Sequence, residues 1–185
     1  MAATIKNPTP DTSKHADPDP DPQQQVEFAK FEKAIGVPNM DPVMLVLRAH
    51  LFTEALLERL ILVSLPRGDK IVEAGNLTYA QKLVLVEALQ KLPDDITSSL
   101  RGLNKVRNQC AHELGKEISE TDVTRIGSPF GAAFSRMRVS AGGNMGDLLY
   151  RAISRICGFM AARCHDSETR TDPNTSSKAP KRAAT

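Results

Sequence analysis

Between Asp41 and Cys164 apolar residues return at spacings of three and four, and the breaks between runs carry helix-start and helix-stop residues. A chain patterned this way buries one stripe per helix and offers no alternating segment for a sheet. The expected class is therefore all-α, an up-and-down bundle of about five helices. Aromatic residues make up only 4% and Trp is absent, so the core has to be built from Leu, Val, Ile, Ala and Met.

The punctuation places the elements. Val26 to Ile35 reads as a short first helix, stopped by Gly36 and Pro38. Asp41-Pro42 opens a long helix to about Val63, with Asp as N-cap and Pro at the first helical position. Leu65-Pro66-Arg67-Gly68 ends it. Thr78-Tyr79-Ala80-Gln81 has the capping-box pattern and starts a helix to about Lys91. Pro93-Asp94-Asp95 starts the next, with acids where the helix dipole favours them. That helix is expected to reach about Leu114, with Gly115 as its stop. Ser119 to Asp122 looks like another start. The stretch from Ile126 to Ser140 is ambiguous because Gly127, Pro129 and Gly131 interrupt it. A last helix from about Met145 to Cys164 carries Leu149, Ile153, Ile156 and Met160 on one face.

Residues 1–24 read as a disordered acidic, Pro-rich tail, because the Asp17-Pro18-Asp19-Pro20-Asp21-Pro22 repeat lacks backbone donors and repels itself. Residues 166–185 read as a disordered basic tail, leaving residues 25–165 as the folded domain. A net charge of +2 is too small to imply nucleic-acid binding by itself. No secretory signal is recognisable, and Cys110, Cys157 and Cys164 are odd in number and irregular in spacing, so free thiols in the cytoplasm are expected. The longest apolar run, around Leu56 to Leu65, is broken by Glu58 and Arg59, so no membrane span is expected. Cys157, Cys164 and His165 lack a complete metal-ligand set, and neither a metal nor another cofactor is expected.

The helix from Asp94 to Leu114 holds the chemically interesting groups. On a wheel, Ile96, Leu100, Leu103, Val106, Cys110 and Leu114 form its apolar face. Arg101, Lys105, Asn108 and His112 form a polar stripe opposite. Arg107 falls in the core-facing sector, where a charge must be paired or open onto a cleft. The long helix offers a partner. Val43, Leu47, His50, Glu54, Leu57 and Ile61 trace a stripe in which His50 and Glu54 stand where packing asks for Leu, with Glu58 beside them. This pattern predicts a Glu54–Arg107 pair with His50 nearby. Either the pair is structural and fixes helix register, or Arg107 and His112 do chemistry. An Arg can hold a phosphodiester and a His can move a proton near neutral pH. Arg107 and His112 lie five residues apart, roughly 140° around a regular helix, so one chain does not aim both at one ligand. A symmetric dimer offers a way to complete such a site.

The run Leu103-Asn104-x-x-Arg107-Asn108-x-x-x-His112 resembles the Arg-x(4–6)-His signature of the HEPN superfamily. Upstream, Arg48-Ala49-His50-Leu51-Phe52-Thr53-Glu54 resembles that family's polar-containing second helix, and Leu77 to Leu83 the helix before the signature. The likeness covers about residues 40–125. It implies a dimeric helical bundle and, in active members, a metal-independent endoribonuclease of toxin–antitoxin, phage-defence or RNA-processing systems. By position, Arg107 would hold the scissile phosphate, His112 would act as general acid or base, and Asn108 would orient the site. Glu54, His50, Lys105 and Arg101 are the expected supporting or substrate contacts. The implied partners are a second copy, an RNA substrate and an antitoxin protein. Glu113-Leu114 follow His112 where many members paired with a nucleotidyltransferase antitoxin carry a Tyr, so that subtype is not implied. Inactive members serve as dimeric regulatory modules. The mannitol-operon repressor-like proteins are of that kind, and Ile126 to Gly131 faintly resembles their downstream segment. A non-catalytic interaction protein is therefore the alternative expectation.

Overall fold

A computed structural model describes residues 40–171 together with Ala29, Lys30, Lys33, Ile35 and Gly36. The expected tail 1–24, most of the expected first helix and residues 172–185 lie outside the described residues. From Pro42 to Thr171 the chain forms seven α-helices and no strand. They are α1 (Pro42–Ser64), α2 (Gly68–Ala74), α3 (Tyr79–Ala88), α4 (Asp94–His112), α5 (Glu120–Gly127), α6 (Ala132–Ser140) and α7 (Met145–Thr171). A short 3₁₀ turn, Ser128–Phe130, links α5 to α6. The all-α class is as the periodicity implies, with more and shorter pieces than five.

Local chemistry explains most boundaries. The Asp41 carboxylate accepts from the Met44 amide at 2.9 Å, and Pro42 occupies the first turn, where its missing N–H is not needed. Thr78 and Gln81 close a reciprocal capping box on α3, and Ser119 and Asp122 close another on α5. Two boundaries differ from expectation. The long helix ends at Ser64, as Leu65 to Gly68 require, but Gly68 also begins the two-turn α2, which the pattern does not mark. The last helix continues past Cys164 to Thr171, so the helical domain reaches beyond residue 165.

The core is one aliphatic cluster centred on α1, which packs against α7, α3, α4 and α2. Leu149, Ile153, Ile156 and Met160 are fully buried, as the α7 stripe requires. Cys157 and Cys164 are fully buried too; burial raises the Cys157 thiol, keeping it protonated, and Cys164 Sγ donates to Leu56 O at 3.4 Å. No helix among the described residues is long and apolar enough to cross a membrane.

The core stripe of α1 is rotated from the one expected. Leu45, Val46, Ala49, Leu56, Leu57, Leu60 and Ile61 are buried, together with His50 and Thr53. Val43, Leu47 and Glu54 fall on its border. The reason is that α1 is enclosed on several sides, so its buried arc is wider than a single four-three stripe. On α4, Ile96, Leu100, Leu103 and Val106 are buried as expected, with small Thr97, Ser99 and Gly102 beside them. Gly102 is required by close approach: a Cβ there would lie 2.7 Å from the Arg125 carbonyl of α5. Leu114 is not part of this face. The helix stops at His112 with Glu113 extended, which turns Leu114 out into solvent.

Candidate active site on the outer end of α4

The buried side of α4 fixes where its polar side points. Arg101, Lys105, Asn108 and His112 are all exposed on one stripe, as the wheel requires. Together with Asn104, Gln109 and Glu113 they line a shallow groove. Every residue of this groove comes from α4 and its C-cap, so it has a single wall. Arg101 is neutralised by an ion pair with Glu87 of α3. Lys105 makes no ion pair among the described residues, and it is the groove's available cation.

A second cleft lies on the other flank of α4. It is lined by His50 and Glu54 of α1, Thr78, Tyr79 and Ala80 at the start of α3, and Asn104, Arg107 and Asn108 of α4. Asn104 and Asn108 belong to both depressions and form the ridge between them. The two measure about 400 and 350 Å³, near the lower end of the roughly 300–1,000 Å³ of clefts that hold small ligands. That is the scale of a small ligand rather than of a folded domain.

The second cleft is held by a buried polar chain. His50 is only 4% exposed, and its ring stacks on Tyr79 with centroids 4.1 Å apart. His50 Nε2 donates to Asn104 Oδ1 at 3.1 Å, which leaves Nδ1 as a buried lone pair without a partner. Burial pushes the imidazole below its ordinary value, and the nearby Arg107 cation adds to that; the Asn104 bond and Glu54 oppose it without winning. His50 is thus a neutral imidazole at physiological pH. The Tyr79 hydroxyl lies 3.0 Å from Thr53 Oγ1, and Thr53 in turn donates to the Ala49 carbonyl at 2.8 Å. Buried Tyr79 is held well above the usual phenol range.

Glu54 does not pair with Arg107. Lys82 Nζ of α3 reaches Glu54 Oε1 at 2.7 Å and Glu58 Oε1 at 2.6 Å. Desolvation would lower the nearly buried Lys82, but the two carboxylates outweigh it and hold the ammonium charged. The physical cause of the correction is the rotated core stripe. Glu54 sits on the border of α1 that faces α3, and α3 supplies the cation. The acidic pair one turn apart on α1 was the available signal for a shared lysine. Arg107 is half-buried rather than core-facing. Its Nη1 donates to Asn108 Oδ1 at 3.2 Å, and it makes no ion pair among the described residues. Its guanidinium therefore opens onto the cleft with His50.

The exit of α4 is anchored by a third feature that sequence spacing showed only as a helix start. Asp122 is buried and accepts from Lys116 at 2.7 Å, from the Ser119 amide at 3.0 Å and hydroxyl at 2.8 Å, and from Arg125 at 3.1 Å. Burial alone would raise this carboxyl, but Lys116 and the Ser119 donors hold it down to about 2. This network ties the loop after His112 to α5.

Of the predicted site residues, Arg107 and Asn108 meet by a hydrogen bond. His50, Glu54 and Arg107 share one cleft. His112, Lys105 and Arg101 share the other with Asn108. Asn104, Tyr79 and Gln109 were not singled out as site residues, though Asn104 and Gln109 stand within the α4 run itself. Among the described residues no group of three or more His, Cys, Asp and Glu side chains converges as a metal-ligand set. No family model, curated protein or solved structure matches this chain.

Proposed function

We propose that the chain is a HEPN-type, metal-independent endoribonuclease acting in the cytoplasm as a toxin or phage-defence effector, with a site completed between two copies. The observation that carries this reading is the single-walled groove at the end of α4. His112, Asn108 and Lys105 are exposed there with no second element facing them among the described residues, while Arg107 joins the same ridge through Asn108. A two-fold axis near this ridge sets Arg107 of one copy against His112 of the other and supplies the missing wall. In that arrangement the RNA 2′-OH attacks the adjacent phosphorus while the P–O5′ bond breaks. His112 takes or gives the proton, and Arg107 balances the charge that develops on the phosphoryl oxygens. Asn108 orients the guanidinium. His50, neutral and buried, and Asn104 hold the ridge from behind.

The test is RNA cleavage, and growth inhibition on expression, by the wild-type chain against His112→Ala. Wild type is expected to cleave and to inhibit growth, and the variant to do neither. Equal behaviour of the two removes the reading. A second reading, a non-catalytic dimeric regulatory protein, draws on one observation: within one chain Arg107 and His112 open onto different clefts. It expects a stable dimer, bound to a protein partner, that leaves RNA intact.

A further inference from the structure

The segment from Gly131 to Arg163 is compositionally unlike the rest of the chain. It contains five Arg, no Lys and a single acid, Asp147, a surplus of four positive charges in a protein whose net charge is only +2. The fold spends two of these arginines internally. Arg138 reaches Glu120 and Thr124 of α5, and Arg163 Nε donates to the Lys91 carbonyl at 3.1 Å. The other three converge. Arg136 of α6 and Arg151 and Arg155 of α7 line one groove with Met137, Tyr150 and Ser154.

Each part of this groove has a use for a phosphodiester chain. Arg136 is exposed and makes no ion pair among the described residues. Arg151 is exposed and held at Nε by Asp147 at 2.8 Å, leaving its terminal nitrogens available. Arg155 lies 5.1 Å from the centre of the Phe130 ring, which holds the planar fork in place without neutralising it. The Ser154 hydroxyl is a buried donor without a partner. Tyr150 lines the groove beside the arginines, partly buried against the core, which places an aromatic side chain within its wall. Arginines are spaced along two helices and none is Lys, which suits bidentate contacts to phosphate oxygens better than diffuse attraction. A basic groove with an aromatic platform is the arrangement that single strands use, with charge following the backbone and a base stacking on the ring.

We propose that the α6–α7 groove binds the phosphodiester backbone of single-stranded RNA, as an exosite separate from the α4 ridge. The choice of RNA rests on the ribonuclease reading; the polyanionic character of the ligand does not. None of the groove residues belongs to the α4 signature, so binding and cleavage can be separated.

The experiment uses the full chain carrying His112→Ala, a short fluorescein-labelled single-stranded uridine oligomer, and anisotropy titrations over a range of KCl. Adding Arg136→Gln or Arg151→Gln is expected to weaken binding several-fold and to flatten the logarithmic salt slope by about one each. Tyr150→Leu is expected to weaken binding about fivefold or more, with Tyr150→Phe close to the parent. Asp147→Asn is expected to tighten it by removing the competing carboxylate. Circular dichroism checks that each variant is folded. Unchanged affinity and slope in the folded Arg136→Gln/Arg151→Gln pair overturn the exosite, even if the wild-type chain cleaves RNA. Displacement of the oligomer by polyaspartate at equal charge concentration also overturns it, and assigns the groove to an acidic peptide. If the groove variants behave as expected but the wild-type chain leaves RNA uncut, the exosite stands and the nuclease reading falls.

Discussion

On one flank of the Asn104–Asn108 ridge, His50 is buried, stacked on Tyr79 and bonded through Nε2 to Asn104. On the other, His112 stands exposed at the last turn of α4 in a groove made only by that helix and its cap. The first flank is finished within one chain: three helices enclose it, and its polar atoms are nearly all satisfied. The second has one wall. A side chain held by neighbours is set by folding, whereas one left at a helix end is set by whatever docks there. The difference teaches that Arg107 is positioned by packing within one chain, whereas His112 is left without a facing wall among the described residues, which is where the proposed second copy would act.

The largest expected effect falls on activity. Arg107→Ala and His112→Ala each lower RNA cleavage by at least about a hundredfold with unchanged melting temperature. A large loss of stability in Arg107→Ala would move Arg107 to the structural side of the comparison. Next, the closed flank is predicted to be sensitive and the open flank tolerant. Lys82→Met strands Glu54 and Glu58 together and is expected to cost about 1–3 kcal/mol in urea unfolding, the exposure of both carboxylates keeping it below a fully buried pair. Lys105→Met on the open flank is expected to stay within about 0.5 kcal/mol.

Acid titration sharpens the same contrast. Asp122 titrates near 2 in the folded chain against an ordinary 3.8, so its stabilisation is complete above about pH 4 and is lost as pH falls toward 2. Stability measured across that window is expected to drop by about 2 kcal/mol more in the parent than in Asp122→Asn. The smallest effect belongs to His50. Its folded value lies below 6.5, so the folded state resists the proton that the unfolded chain accepts, and stability falls as pH drops below about 6.5. His50→Gln is expected to remove that slope. A slope that survives His50→Gln belongs to another group, and the absence of any slope in the parent would mean that the cleft is wetter than its geometry indicates.

Much of this was legible without coordinates, and the reasons are specific. The caps at Asp41, Thr78 and Ser119 are local, three-residue chemistry, so they could be read directly. So could the exposed stripe of α4, because a helix buried on one side has one phase. The partner of Glu54 could not be read, since α1 is enclosed on several sides and its stripe does not mark a single neighbour. The assignment to Arg107 failed because the wheel shows direction but not which helix stands there. Tyr79 was seen as a cap neighbour and not as the platform under His50, since the stack needs α3 to lean across α1. The arginines of α6 and α7 are far apart in sequence, and the Gly142-Gly143 turn between them is what folds the two helices side by side.

The central claim, a site shared by two copies, is tested most directly by mixing inactive variants. Arg107→Ala and His112→Ala chains are combined under conditions of subunit exchange, and RNA cleavage is measured before and after. If Arg107 of one copy works with His112 of the other, half of the dimers carry one intact site, and cleavage returns to roughly a quarter of the wild-type rate. No recovery in a mixture shown to contain mixed dimers, or a wild-type chain that cleaves RNA as a monomer, contradicts the account.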